Sequence, residues 1–163
     1  ATEKERGTAA LILSKPVGRG GFLVAKLVAI GLTLGVATTL ATAGAWLYTL
    51  ILFEPLPVLG VAAAAGLQWL MLMAWATITL LGSTLTRSSI AAGGFGIVAF
   101  IVVGILGALP NVGRFLPTGL GAPARALALG RPGADVVSPI LATIALIGVA
   151  ATVAWLAFRR QEL

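Results

Sequence analysis

Residues 90–109 read IAAGGFGIVAFIVVGILGAL, an uninterrupted run of apolar and small residues without a charged side chain. A helix needs about 20 residues to cross a hydrocarbon layer of about 30 Å, so this run is long enough to span a membrane. Three further runs of at least this length lie at 22–53, 56–83 and 136–158. None of the four contains an acidic residue, and Lys26 is the single base within them. The sequence therefore predicts a polytopic membrane protein with four spans.

The composition agrees with membrane insertion. The chain of 163 residues is 59% hydrophobic and 10% charged, and its mean hydropathy is +1.07. A soluble domain of this composition would lack the polar side chains needed to cover its surface. Lipid offers the backbone no hydrogen-bond partner, so spans are helices or barrel strands, and barrel strands would alternate in polarity. The predicted fold class is all-α, a polytopic helical membrane protein with a single transmembrane domain over residues 1–163.

Residue types needed for catalysis are missing. The chain contains no Cys and no His, which excludes disulfides, a thiolate nucleophile and a Cys/His metal site. No carboxylate lies in the spans, although ion-coupled carriers usually need one. No Walker-type phosphate loop occurs, and the glycines at 93–96 indicate close helix packing instead. We expect no enzyme activity, no metal and no bound cofactor on this chain. Any transport by this chain would therefore need energy from another source.

The basic residues are distributed unevenly between the loops. With four spans, both ends lie on one side, and that side holds eight of the eleven bases. Because loops rich in Lys and Arg stay in the cytoplasm, we expect cytoplasmic termini, and the net charge of +6 needs no nucleic-acid partner. The eight bases are Lys4, Arg6, Lys15, Arg19, Lys26, Arg87, Arg159 and Arg160. The opposite side holds Arg114, Arg125 and Arg131.

The outer loop between the last two spans, residues 110–135, is rich in Gly and Pro. Pro123 is suited to the first turn of a short helix, and Gly130 to its end. Apolar residues such as Leu120 and Leu127 indicate a helix that lies in the outer interface or re-enters the membrane. An ordinary surface loop is the alternative that the sequence leaves open.

The densest charge cluster of the chain precedes the first span, in a segment, 1–21, that we assign to the cytoplasmic side. Thr2 and Glu5 have the spacing of a capping box, and Thr8 is suited to cap a second short helix over residues 9–14. The pattern predicts a short, partly apolar helix beside the membrane. A solvated segment whose bases contact anionic lipid is the alternative.

Residues 3–26 carry the most specific motif: Glu3-Lys4-Glu5-Arg6-Gly7-Thr8, then Leu11-Ile12-Leu13-Ser14-Lys15-Pro16-Val17, Arg19 and Lys26. In this order the motif resembles a bacterial ABC-2 type transporter permease, and weaker similarity continues over residues 81–89 and 158–163. The resemblance implies six spans, with this segment between the second and third as a cytoplasmic coupling helix that docks on a separate ATPase. This chain has four, so we expect either that two spans precede it or that it is a shorter relative.

The resemblance also implies site residues and partners. The residues that would contact the ATPase are Glu3, Glu5, Arg6, Gly7, Thr8 and Leu11. ATP and Mg²⁺ would be bound by that subunit rather than by this chain. A second permease copy or relative would complete a homo- or heterodimer in the bacterial inner membrane, in contact with membrane lipid. Re-entrant helices between the last two spans are common in the superfamily.

Two further groups of residues are candidates for helix packing and for a substrate pathway. Small residues let membrane helices approach closely, within one chain or at a dimer seam. The packing candidates are Gly31, Gly35, Gly93, Gly94 and Gly104. Polar and aromatic residues within the second span are the pathway candidates: Gln68, Trp69 and Trp75. The alternative is that the glutamine joins helices by hydrogen bonds and that both tryptophans only pack.

We interpret the sequence as the membrane-spanning permease subunit of an ATP-driven ABC transporter, expected to be an exporter, coupled to a separate ATPase subunit. The alternative function is a non-transporting membrane scaffold of a larger complex, since apolar helices with small-residue faces would suit that role equally well. A neighbouring reading frame that encodes a Walker-type ATPase is expected only for the permease.

Overall fold

The computed structural model describes residues 19–86, 88–109, 111–131 and 135–159. The predicted coupling-type helix lies outside these ranges. So do its candidate residues, which are Glu3, Glu5, Arg6, Gly7, Thr8 and Leu11.

The described residues form five α-helices and two short 3₁₀ turns. These are α1 Arg19–Leu52, α2 Val58–Leu85, α3 Ser89–Gly107, the 3₁₀ turns Gly113–Phe115 and Pro117–Leu120, α4 Gly121–Ala128 and α5 Val137–Arg159. Helices α1, α2, α3 and α5 are long and apolar enough to cross a membrane, and the described ranges contain no strand. The all-α, polytopic fold class is therefore confirmed.

The long helices differ in length. At 1.5 Å per residue, the 34 residues of α1 extend about 51 Å and the 19 residues of α3 about 28 Å. A helix as long as α1 must tilt in a hydrocarbon layer of about 30 Å or protrude from it.

Helix α1 begins at Arg19, inside the segment 1–21 that the sequence assigns to the cytoplasmic side. A Cβ on Gly20 would lie 3.1 Å from Nε1 of Trp155, so this glycine lets the first turn of α1 lie against α5. Every other end of the four long helices lies within two residues of the predicted spans.

Helix α2 lies at the centre of the bundle and contacts α1, α3, α4 and α5. At the end of the bundle where α1 starts and α5 stops, Leu23, Leu80 and Phe158 form a buried group. Phe22 and Leu27 pack on it, and the rings of Phe22 and Phe158 stack with centroids 6.1 Å apart. These five residues are termed the terminal-end cluster. The opposite end, termed the loop end, carries the α1–α2 turn and the segment between α3 and α5.

The segment between α3 and α5 contains the helix predicted there. Helix α4 has Pro123 in its first turn and ends before Gly130, whose φ of +65° favours glycine. It packs so closely on α2 that a Cβ on Gly60 would collide with the Leu127 carbonyl. The helix is therefore confirmed, whereas its position in the outer interface or the membrane stays a prediction.

Helix α5 begins beside an acidic residue. The backbone N–H groups of Val137 and Ser138 donate to Oδ1 of Asp135 over 3.1 and 3.3 Å. The Ser138 hydroxyl and these N–H groups lower the pKa of Asp135 below its usual value, since they stabilise the charged carboxylate. Asp135 therefore caps the N-terminus of α5, where a negative charge also opposes the helix dipole.

Candidate functional site

Helices α1 and α2 touch where two glycines of α1 face two large side chains of α2. A Cβ on Gly31 would lie 3.3 Å from Sδ of Met73, and one on Gly35 would lie 3.5 Å from Nε1 of Trp69. The indole N–H of Trp69 donates a hydrogen bond of 2.9 Å to the Gly31 carbonyl. The absence of side chains at these two positions therefore lets Trp69 lie between the helices and bond to the α1 backbone.

A second tryptophan joins the same helices at the loop end. The indole N–H of Trp46 donates to the Leu56 carbonyl, over 3.2 Å, in the turn before α2. Between the Trp69 and Trp46 hydrogen bonds, the facing residues of both helices are mostly Ala, Thr, Val and Gly, which are too short to fill the intervening space. Two cavities of about 530 and 740 Å³ flank the line of contact there.

The larger cavity, termed the polar crevice, lies between α1, α2 and α4. Small residues spaced one turn apart form much of its α1 wall, namely Ala37, Ala41 and Ala45. Polar side chains reach it from all three helices, namely Thr38, Thr42 and Thr49 of α1, Gln68 of α2 and Arg125 of α4. Within the described ranges, no acidic side chain lines the crevice.

Hydrogen bonding divides the threonines of α1 into two groups. Thr33, Thr39 and Thr49 each donate to the carbonyl four residues earlier, over 2.8–2.9 Å, so the hydroxyl is satisfied within its own helix. Thr38 and Thr42 also line the polar crevice, yet neither hydroxyl bonds to any residue in the described part of the chain. These two hydroxyls, one helical turn apart, can therefore bond to a group inside the crevice.

Gln68 and Arg125 face the same crevice from the other two helices. Both side chains are exposed, and neither forms a hydrogen bond or ion pair with a residue that the structure describes. An amide without a partner in an apolar environment costs on the order of a few kcal/mol. The polar crevice therefore collects four side chains whose hydrogen-bonding capacity is unused within the described ranges.

The three predicted pathway residues lie in three different environments. Gln68 lines the polar crevice. Trp69 occupies the contact between α1 and α2 and borders the cavity on its other side. Trp75 packs on Phe100 of α3, with ring centroids 5.0 Å apart and planes inclined by 52°. Gln68 and Trp69 each share a cavity with the unpaired hydroxyls of Thr38 and Thr42, whereas Trp75 lines neither cavity. A pathway role for any of the three stays a prediction.

The five predicted packing glycines also separate into two groups. Gly31 and Gly35 face Trp69 and Met73, as described above. A Cβ on any of the other three would meet no atom within 4 Å in the described part of the chain; these are Gly93, Gly94 and Gly104. Within the described ranges the structure therefore does not bring these three against another helix, and their packing role stays a prediction.

Three residues that line the crevice are not predicted as site residues from the sequence, namely Thr38, Thr42 and Arg125. The spacing of four between the threonines places both hydroxyls on one helix face, which is a detectable signal. Arg125 is counted there only as a loop base. Arg125 lines the crevice beside Gln68 because α4 packs on α2, and the sequence alone does not reveal this packing.

These features define a multi-pass helical membrane protein whose first long helix is packed at one end and borders a polar crevice towards the other. The chain belongs to the ABC-2 family of transporter proteins, because the family model "ABC-2 family transporter protein" matches residues 1–126. Proteins of this family are membrane transport components and are not themselves catalytic. The resemblance carried by residues 3–26 is therefore confirmed.

A similar protein is the uncharacterized transmembrane protein YxlG of Bacillus subtilis (strain 168). The two are 33% identical over 120 residues, which cover 72% of this chain and 46% of the relative. The chain therefore spans about half the length of the curated relative that it matches. No solved structure matches this chain.

Proposed function

We propose that this chain is the membrane-spanning permease subunit of an ATP-driven ABC transporter and acts as an exporter. ATP and Mg²⁺ bind to a separate ATPase subunit, and a second permease copy or relative completes the transport path. The protein lies in the bacterial inner membrane with both termini in the cytoplasm, which the distribution of Lys and Arg favours. Membership of the ABC-2 family supports the transport role.

The observation that carries this proposal is the contrast between the two ends of α1. At the terminal end, Phe22 and Leu23 pack with Leu80 and Phe158, so the start of α1 is joined to α2 and α5. Towards the loop end, the polar crevice lies between α1 and α2. Because α1 is one continuous helix of 34 residues, a displacement of its start changes the width of the crevice. A permease driven from the cytoplasmic side needs this kind of linkage.

The predicted coupling segment directly precedes α1 in the sequence. Glu3, Glu5 and Arg6 supply the charges for contacts with the ATPase, while Gly7, Thr8 and Leu11 shape the helix that docks. ATP-driven closure of the ATPase subunits then pushes this segment, and the spans rock to open the path towards the other side.

The test is a mild-detergent pulldown through a tagged C-terminus, followed by mass spectrometry and a vanadate-sensitive ATPase assay. We expect an ATPase with a Walker motif at equal stoichiometry. Replacing Glu3→Lys together with Glu5→Lys reverses two charges of the coupling segment, so we expect recovery of the ATPase to fall about 10-fold or more while membrane insertion is retained.

The matched control reverses two acidic residues elsewhere, Glu54→Lys with Glu162→Lys, and we expect it to leave ATPase recovery unchanged. Normal recovery of the ATPase with the Glu3/Glu5 variant would refute the coupling assignment. Recovery of other membrane subunits without any ATPase would refute the permease proposal and favour the scaffold.

A further inference from the structure

We propose that the polar crevice binds an amphiphile with an anionic headgroup, and that this amphiphile is the class of substrate transported. The assignment of this amphiphile as the transported substrate rests on the proposed permease function. The binding of the amphiphile concerns this chain alone, and it follows from the charge, the unpaired polar groups and the shape of the crevice.

The charge of the crevice favours an anion. Arg125 is the charged side chain that lines it, and no described residue forms an ion pair with its guanidinium. The two acidic residues within the described ranges, Glu54 and Asp135, do not line the crevice, and Asp135 is already engaged in capping α5. A guanidinium presents donors in a planar fork that fits phosphate or carboxylate oxygens.

The unpaired polar groups favour a headgroup that also carries neutral hydrogen-bonding atoms. The hydroxyls of Thr38 and Thr42 can donate or accept, and so can the amide of Gln68. All three lie on helices that are long and apolar enough to cross a membrane, and in hydrocarbon an unpaired polar group is unfavourable. A headgroup with hydroxyl or ester oxygens would satisfy these groups and the Arg125 guanidinium together.

The shape of the crevice favours an amphiphile over a free anion. Its volume of about 740 Å³ is that of a site for a small organic molecule, much larger than a single anion needs. Alanines and the side chains of Leu56, Val61 and Leu72 supply apolar walls. The lining alanines 37, 41 and 45 are exposed, so an acyl chain can extend from the crevice along the outer surface of α1.

The binding test uses the purified full chain in dodecyl maltoside. Two fluorescent probes with identical acyl chains are compared, an NBD-labelled phosphatidylglycerol, which is anionic, and the matching phosphatidylcholine, which is zwitterionic. Both probes carry the phosphate that Arg125 would contact, but the choline cation of the zwitterionic probe cancels its net charge and repels the guanidinium. We therefore expect the anionic probe to bind about 10-fold more tightly. Free glycerol 3-phosphate should not displace it at equal concentration, because it lacks the apolar part.

Matched variants locate the site. Arg125→Gln should abolish the preference for the anionic probe, whereas Arg125→Lys should keep most of it because the charge remains. Arg131→Gln removes the same charge from the same loop without lining the crevice, so binding should change less than about twofold. Thr38→Val with Thr42→Val should weaken the binding of both probes. Thr33→Val with Thr39→Val should leave the binding of both probes unchanged.

Equal binding of the two probes, or equal effects of Arg125→Gln and Arg131→Gln, would overturn the inference. Displacement by an equal concentration of glycerol 3-phosphate would overturn it in favour of a free-anion site. The binding assay contains no ATPase, so a negative result in this assay is independent of the result of the pulldown. Selective binding without any ATPase partner would support the crevice assignment and refute only its link to transport.

Discussion

The two ends of the α1–α2 pair are built from different kinds of side chain. The terminal end contains large apolar residues that interlock, and Phe158 there is 3% exposed. Towards the loop end, the facing residues are mostly Ala, Thr, Val and Gly, and cavities lie on both sides of the contact. Large side chains fix the distance between helices by filling the space, whereas small side chains leave space unless the backbones touch. The difference shows that α1 is packed more closely at the terminal end than towards the loop end.

Trp69 marks the boundary between these two regions. Its ring lies against Gly31 and Gly35, and its N–H bonds to the α1 backbone. Below it, towards the terminal end, the helices are joined through Leu23 and Leu80. Above it, the unpaired polar groups face the polar crevice. The same pair of helices can therefore serve as a fixed joint and as the wall of a binding site.

The largest expected effect comes from removing the terminal-end cluster. Phe158→Ala should lower the free energy of unfolding by about 3 kcal/mol, because it leaves a cavity among Phe22, Leu23 and Leu80. Reversible unfolding in mixed detergent and SDS measures this change. The control is Phe53→Ala at the loop end, where the ring is 71% exposed, and its effect should stay within about 0.5 kcal/mol. Equal losses would show that the two ends do not differ in packing.

A smaller effect is expected from filling the contact beside Trp69. Gly31→Leu places a side chain where Sδ of Met73 and the Trp69 ring already lie, which should cost about 1–3 kcal/mol and break the Trp69 hydrogen bond. Gly44→Leu on the same helix meets nothing within 4 Å in the described part of the chain and serves as the control. Tryptophan fluorescence reports displacement of the ring. An unchanged spectrum with Gly31→Leu would contradict the boundary assigned to Trp69.

The smallest expected effect concerns the capping carboxylate at the loop end. Because the pKa of Asp135 is lowered in the folded protein, its contribution to stability is present above the unfolded pKa of about 3.9 and is lost as the pH falls through the lowered value. The melting midpoint of Asp135→Ala should therefore lie below that of the native protein at pH 7, and the two should converge as the pH falls below the lowered pKa of Asp135. Glu54→Ala is the exposed control. A difference that is independent of pH would show that the charge of Asp135 does not matter.

The fold follows from the sequence to a large extent. The four spans and the short helix with Pro123 are predicted because apolar length, Pro and Gly act locally, within one helix or turn. The close approach of Gly20 in α1 to Trp155 in α5 is not predicted, because the two residues lie far apart in the chain. Long-range contacts of this kind leave no local pattern.

The candidate site is only partly visible in the sequence. Gln68 is identified there because a polar residue in an apolar span is conspicuous. Arg125 is not, because its role depends on how α4 packs on α2. Gly31 and Gly93 look alike as small residues in a span, yet only the first faces another helix within the described chain.

Membrane insertion, the four spans within the described ranges and the family of this protein are contained in the sequence, because apolar length and a contiguous motif are properties of neighbouring residues. The joining of Thr38, Thr42, Gln68 and Arg125 around one crevice is a property of the tertiary structure. These residues come from three helices, and the space between those helices depends on which side chains meet at each contact. The close packing of the terminal-end cluster and the unfilled space beside Trp69 and towards the loop end therefore depend on contacts between helices, which no single segment of the sequence encodes.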